Sequence, residues 1–508
     1  MKYPIIIFFR YDQYSYIDHF FEANKDNLLC SVNITSNKYD INKLFDSNNH
    51  IFITFGENVL NYYPDVNEFI STRLAYRWLH METITSVDEF NSSVNYCYMK
   101  TITDNHIKTR PIFSVFTTCY NSYDKIVRAY NSIKLQTLRD WEWVIMDDSP
   151  DDDHFIFLKK IFQEERKVRL YKRSENSGSI GNVKNEAVLL CRGKYVLELD
   201  HDDEILPDVL FDAANVFEKT EDIGFIYMDY TNIYENGENY KYGDFFSLGY
   251  AGYYRQKYND KWIFVASTPN INNITLSHIV SVPNHPRIWR KSTLLSMGNY
   301  SEFLPISDDY ELLLRTAANT KMAKIHKLGY VQYMNNNNNN FSLIRNSEIN
   351  RLCTHLTFHC YETYKIKEVM MKKGGYDENA DISKQIWKHK DYQPRYCNDV
   401  INVNYKKQYC IIGLETLCTH YFELNKIYED TTNDFLLLDN KYTSDDDILC
   451  SSLDNLSLNR MKCYSMKDCS DEELVNYFHF IYKSASEVYI ITRNSDHLTC
   501  IIVQGDEK

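Results

Sequence analysis

Residues 194–207 read KYVLELDHDDEILP, an apolar run that ends in Asp200, His201, Asp202, Asp203 and Glu204. Carboxylates that close repel one another, and each ionised group resists burial. Something positive, or something chemical, belongs beside them. Acidic pairs end two other stretches: WEWVIMDD closes on Asp147 and Asp148, and LPISDDYELLLRTA carries Asp308 and Asp309. A further polar cluster, Thr117, Thr118, Tyr120 and Asn121, follows the apolar PIFSVF. Paired carboxylates can hold a metal, accept a hydrogen bond from a ligand, or take a proton as a general base. Each also has a plainer use as a turn or helix-capping acid.

From Pro111 onward, strands and helices alternate. PIFSVFTT, WEWVIMDD, VRLYKR, KYVLELD and IGFIYMDY read as short buried strands. DKIVRAYNSIKLQ, DDDHFIFLKKIFQEE, GNVKNEAVLLC and PDVLFDAANVFEK read as helices. Ile126, Val127, Tyr130 and Ile133 share a face of the first, and Pro207 opens the last. The alternation predicts an α/β fold with a mostly parallel sheet covered on both faces. Ligands of such sheets bind beyond the carboxyl ends of the strands. The first, second and fourth of these strands end in the polar clusters, so all three are expected to face one crevice.

Residues 1–107 read as a separate α/β unit, with strands PIIIFF and HIFITFG and a helix over residues 67–80, NEFISTRLAYRWLH. The polar connector DNHIKTRP leads into the main unit, residues 108–350. Asn335 to Asn340 is an asparagine run, read as a flexible loop. Residues 351–508 read as helical and then as a third α/β unit, suggested by QYCIIGLETLCTHYFELNKIY, NDFLLLDN, DEELVNYFHFIYKSA and EVYIITR.

The chain has 508 residues, 44% hydrophobic and 25% charged, which suits a soluble protein of several domains. Its net charge of -14 argues against a nucleic-acid partner held by a broad basic surface. The 13 cysteines form no CxxC pair, which favours free thiols in a reducing compartment over a zinc site or disulfide framework. No apolar run reaches the roughly 18 residues that span a bilayer. The short apolar run at the N-terminus is also too brief for a signal h-region. A soluble, cytoplasmic protein is expected.

Residues 111–345 resemble the nucleotide-sugar glycosyltransferases of family 2, which have the GT-A fold. SVFTTCYN, SIKLQTLRDWEWVIMDDS, NSGSIGNVKNEAVLLCRGKYVLELDHDDEILPD and SDDYELLLR carry the resemblance, in that order. It implies a metal-dependent, inverting transfer from a UDP-sugar to an acceptor hydroxyl. DHDD resembles the DxD motif, so Asp202 and Asp200 would hold Mn²⁺ or Mg²⁺ against the donor diphosphate, with ribose as an alternative partner for Asp200. Asp148 matches the position whose carboxylate accepts the uracil N3–H. Thr118 and Tyr120 match the stretch that wraps the nucleotide. Lys184 stands where an arginine is commoner. It would touch the diphosphate or an acid of the metal motif, or simply lie on a helix surface. Gly178 and Gly181 would let backbone approach the ligand. Asp309 takes the place of the general base, and Asp308 precedes it where the family has Glu, with helix capping as its plainer use. Trp289 and Arg287 fall in the segment that lines the acceptor site, with a core position as the alternative for Trp289. Arg345 falls in a segment where related enzymes have a mobile loop near the diphosphate, and it would close on the phosphates or be a simple surface arginine.

The chain also departs from that pattern. The Q-x-x-R-W motif of processive synthases is absent after Asp309, where the chain reads RTAAN, so one sugar per binding event is expected. Two other classes fit less well. An inactive nucleotide-sugar or glycan-binding scaffold would not need both acidic motifs. A sugar nucleotidyltransferase would need a glycine-rich loop after its first strand, and TTCYNSYDK has none.

Overall fold

The computed structural model describes residues 4–9, 14–35, 51–56, 78–104, 110–241, 252–269, 271, 275–276, 282–334, 344–373, 398–401, 408–430, 433–443, 445–475, 487–494 and 497–504. The asparagine run lies outside them. The chain divides into two compact units, residues 1–214 with 288–312, and residues 215–287 with 313–508.

The first unit holds two parallel sheets. Strands β1 (Pro4–Phe9), β2 (Ser31–Thr35), β3 (Ile51–Phe55) and β4 (Trp78–Met81) are ordered β2-β1-β3-β4. β3 and β4 are buried along their whole length, which explains their continuous apolar character. Helices Tyr14–Ala23 and Val87–Asp104 pack Ile17, Phe21, Phe90 and Val94 onto this sheet. Residues 78–80, the end of the stretch read as a helix, are strand, while residues 67–77 lie outside the described part. Pairing explains the difference. Thr54 on β3 accepts the Trp78 indole N–H at 2.8 Å and bonds His80 Nδ1 at 2.9 Å, which satisfies both polar groups inside the core.

The second sheet runs β7-β6-β5-β8, with β5 Phe113–Cys119, β6 Trp141–Asp147, β7 Val168–Lys172 and β8 Tyr195–Glu198. All four are parallel, and β5, β6 and β8 are almost wholly buried, as the βα alternation predicts. Helix Lys125–Lys134 buries Ile126, Ala129 and Ile133, and Tyr130 stacks on Trp143. Val127, read on the same face, is exposed. Helix Ile180–Leu190 is buried at nearly every position, so it crosses the interior rather than the surface.

In the second unit, strand Ile223–Tyr234 runs parallel to Lys321–Met334, and the hairpin Tyr253–Tyr258 with Lys261–Ala266 joins it. The hairpin turns on Asn259 and Asp260, both at positive φ, as two-residue turns require. Strands Lys462–Ser465, Asp434–Asp439, Gln408–Ile412 and Glu487–Asn494 form a parallel set in that order, closed by antiparallel His497–Gln504. A buried polar knot ties these parts together. Asp229 accepts from Tyr254 at 3.1 Å and from the Thr268 N–H at 3.0 Å, and pairs with Lys324 at 3.1 Å. Lys462 donates to the His326 carbonyl at 3.1 Å, and the Tyr464 hydroxyl meets the His326 ring at 3.4 Å. No described helix is long and apolar enough to cross a membrane.

Candidate active site

The carboxyl ends of β5, β6 and β8 bring the predicted acids together. β5 lies between β6 and β8, with Cys119 opposite Asp147 and Phe116 opposite Glu198. Asp148 follows β6, and Asp200 and Asp202 follow β8, so they flank the end of β5. Thr117 Oγ1 closes the gap on the β8 side by donating to the Leu199 carbonyl at 2.7 Å.

Asp148 is half-buried and tied into the loop after β7. Its Oδ1 accepts the Ser177 N–H at 2.8 Å, and its Oδ2 accepts from Asn176 at 2.8 Å. Gly178 takes φ +66° in the same turn. Arg173 Nε lies 3.3 Å from Oδ1. Burial nonetheless pushes the Asp148 carboxyl up to about 6, against the pull of the Ser177 N–H and Arg173.

The loop after β5 is shaped from beneath. Asn121 and Tyr123 both adopt positive φ, at 48° and 38°. His154, fully buried, holds this turn: its Nε2 faces the N–H groups of Ser122 at 3.0 Å and Tyr123 at 3.2 Å. With Nε2 accepting, Nδ1 donates to Asp147 Oδ1 at 2.9 Å. Asp147 also takes the Ser149 hydroxyl at 2.6 Å, so it serves an internal network rather than a surface cap. Cys119, Asp147 and His154 are close enough to share a metal, but the two N–H donors occupy the imidazole lone pair. Thr118 is half-buried, Tyr120 is 53% exposed at the rim, and Asn121 turns the chain.

Lys184, one of the readings of which left it on the helix surface, is buried. Its ammonium sits 2.7 Å from Glu198 and 3.4 Å from Asp308. Burial opposes its charge, but Asp308, Glu198, Asp309 and Asp200 hold it well above the usual lysine range. One cation thus links Glu198, the last residue of β8, to Asp308. Tyr300 donates to Glu198 at 3.0 Å. Burial pushes Asp308 up to about 6 despite Lys184. Asp308 opens helix Asp308–Asn319 and turns its carboxylate to Lys184, while Asp309 beside it reaches solvent. Ser307 before them is held at φ +61°.

Gly181 explains how this loop reaches the helix Ile180–Leu190. A side chain there would collide with the Ser301 carbonyl and come within 3.0 Å of the Asp308 Cβ. Its close approach therefore serves the acidic loop. Asn299 donates to the Asn185 carbonyl at 3.0 Å, and Ser179 donates to the Leu304 carbonyl at 3.3 Å, fastening the same loop. Trp289 is 1% exposed and packs on Tyr300, so it is a core residue and lines no open site; Arg287 is buried too. Arg345 pairs with Glu348 at 2.7 Å, one turn along its own helix.

Asp200 and Asp202 offer oxygen ligands, the donor type that hard divalent ions prefer. The cation beside Asp202 is Lys125 at 3.7 Å, 40% exposed, a loose contact that a divalent ion could replace. The Asp202 carbonyl accepts from Arg128 at 2.8 Å, fixing the backbone of the turn. The donor set therefore fits such an ion. A second group able to ligate a metal, His80, Glu82 and Glu186, already receives the Arg173 guanidinium. Sequence reasoning did not find this group, because Glu186 lies about a hundred residues from His80 and Glu82.

Residues 114–272 match the family model described as Glycosyl transferase family 2. A hyaluronan synthase of Pasteurella multocida is 24% identical over 59% of this chain and 30% of its own length. A chondroitin synthase of Escherichia coli is 32% identical over 30% of this chain and 22% of its own length. The chain thus spans under a third of either relative. Among solved structures, residues 1–349 of S. aureus TarS in complex with UDP align with a TM-score of 0.36 at 19% identity, covering 52% of this chain and 72% of that one.

Proposed function

We propose that the protein is a metal-dependent glycosyltransferase, a reading supported by the match of residues 114–272 to the model of glycosyl transferase family 2. It moves one sugar per binding event from a UDP-sugar to an acceptor hydroxyl, with inversion at the anomeric carbon. The observation that carries this reading is the bridge made by Lys184 between Glu198, at the end of β8, and Asp308, the neighbour of Asp309. The names of the relatives, hyaluronan synthase and chondroitin synthase, favour a glycan acceptor. The catalytic region is residues 108–350 of a GT-A arrangement, flanked by residues 1–107 and 351–508.

In this reading Asp148 accepts the uracil N3–H, and Thr118 and Tyr120 line the nucleotide. Asp200 and Asp202 would hold Mn²⁺ or Mg²⁺, and such an ion would supply positive charge for the departing diphosphate. Lys184 neutralises Glu198 and Asp308 in the interior, where unpaired carboxylates are costly. That leaves Asp309 as the accessible acid of the pair, and it takes the proton from the attacking hydroxyl.

Asp309→Asn tests the chemistry. UDP-sugar affinity stays near wild type, while transfer to the acceptor falls by roughly 10²–10⁴, the worth of a positioned general base. Near wild-type transfer would reject the assignment. Asp202→Asn tests the metal. UDP should raise the unfolding midpoint of the wild type more with Mn²⁺ than with EDTA, and the variant should lose most of that difference. An equal response in both would remove the metal from the proposal.

A further inference from the structure

Arg173 is 2% exposed and serves three acids at once. Its Nη2 donates to Glu82 at 2.5 Å, its Nη1 meets Glu186, and its Nε lies 3.3 Å from Asp148. A guanidinium is planar and rigid, so fixing two of its nitrogens fixes the third. One of the fixing residues, Glu82, follows β4 of the N-terminal sheet. His80 on β4 places its Nε2 3.2 Å from Glu82 and 3.1 Å from Glu186. Its other ring nitrogen is held by Thr54 on β3 at 2.9 Å. The Thr83 N–H also reaches Ser174 at 3.4 Å. A continuous chain of contacts therefore runs from β3 through His80, Glu82 and Arg173 to Asp148.

Resting on the donor site proposed above, we infer that residues 1–107 complete that site: His80 and Glu82 act through Arg173 to position Asp148 for the nucleobase. They are positioning residues, since neither touches ligand. The charges are consistent with this role. The cluster sets Arg173 and His80 against Glu82, Glu186 and Asp148. Burial works against charge on both His80 and Glu82, yet His80 is raised by Glu186 and Glu82, and His80 and Arg173 hold Glu82 down at about 2. Arg173 in turn lowers Asp148, which favours the ionised form that can accept an N–H.

The test compares UDP with inorganic pyrophosphate, which has the diphosphate but no base. Both are titrated by calorimetry with Mg²⁺ into the full chain. Glu82→Gln and Arg173→Lys are the variants; Gln is isosteric with Glu82, whose side chain is 12% exposed, so it decides the matter if Arg173→Lys does not fold. UDP affinity should fall by about tenfold, the scale of one charge-assisted hydrogen bond, with pyrophosphate within about twofold. With UDP-sugar the loss should appear in KM and leave kcat near wild type. UDP affinity unchanged, or UDP and pyrophosphate weakened alike, would overturn the inference. Should the wild type itself bind UDP no better than pyrophosphate, the nucleobase role of Asp148 fails first, and this inference with it.

Discussion

Asp148 is where the protein should sense pH. Its carboxyl titrates at about 6 because burial outweighs the Ser177 N–H and Arg173; Glu186 and Asp147, the other charges facing it, push the same way as burial. Only the ionised form is a full acceptor for a base N–H. UDP affinity should therefore be level above neutral pH and fall by up to about tenfold per unit below about 6. Unfolding is not the cause in that window. The folded pKa lies above the ordinary 3.8, so protonation of this group stabilises the fold as pH falls through about 6, and its charge is a cost at neutral pH. Calorimetric titration across the range checks this, and a flat profile would free Asp148 of the role. Binding is the better readout than turnover, because Asp308 also titrates at about 6.

At the level of elements, the loop after β5 depends on one imidazole. Removing it in His154→Ala leaves Asp147 without its ring partner and two N–H groups of the loop unanswered. A stability loss of about 1–3 kcal/mol is expected, the cost of unpaired buried polar groups, and urea unfolding measures it. A loss under about 0.5 kcal/mol would mean that water replaces the ring. The strands that carry Asp148 and Asp200 were legible because parallel buried strands write themselves as short apolar runs that stop at polar residues. His154 was not, since a single histidine at a helix start gives no sign of partners some thirty residues upstream. Lys184 was equally opaque. Its helix is buried all round, so periodicity could not assign it a face. Trp78 and His80 misled in the same way: their hydrogen bonds to Thr54 cross a strand pair, and only pairing reveals them.

On the scale of the whole molecule, residues 108–350 lean on both flanks. In the first unit, Arg173 is held by Glu82 and Glu186, and His80 contacts both of those acids. In the second, Lys462 and Tyr464 cover His326 beside the buried Asp229–Lys324 pair. A fragment of residues 107–350 lacks Glu82, His80, Lys462 and Tyr464 and leaves buried charge incompletely surrounded, which costs several kcal/mol per site. It should fail to unfold cooperatively in urea, whereas the full chain should. A cooperative fragment with wild-type UDP affinity would show the flanks to be dispensable. A map of every tolerated substitution along the chain would carry one misleading peak. Gly181 has no side chain to do chemistry, yet any added methyl there meets the Ser301 carbonyl and crowds Asp308. Gly181→Ala should spare UDP binding and depress transfer, the signature usually taken to mark a proton-transfer residue. A survey of loss-of-function alleles would then count as chemistry what is only the absence of one carbon atom.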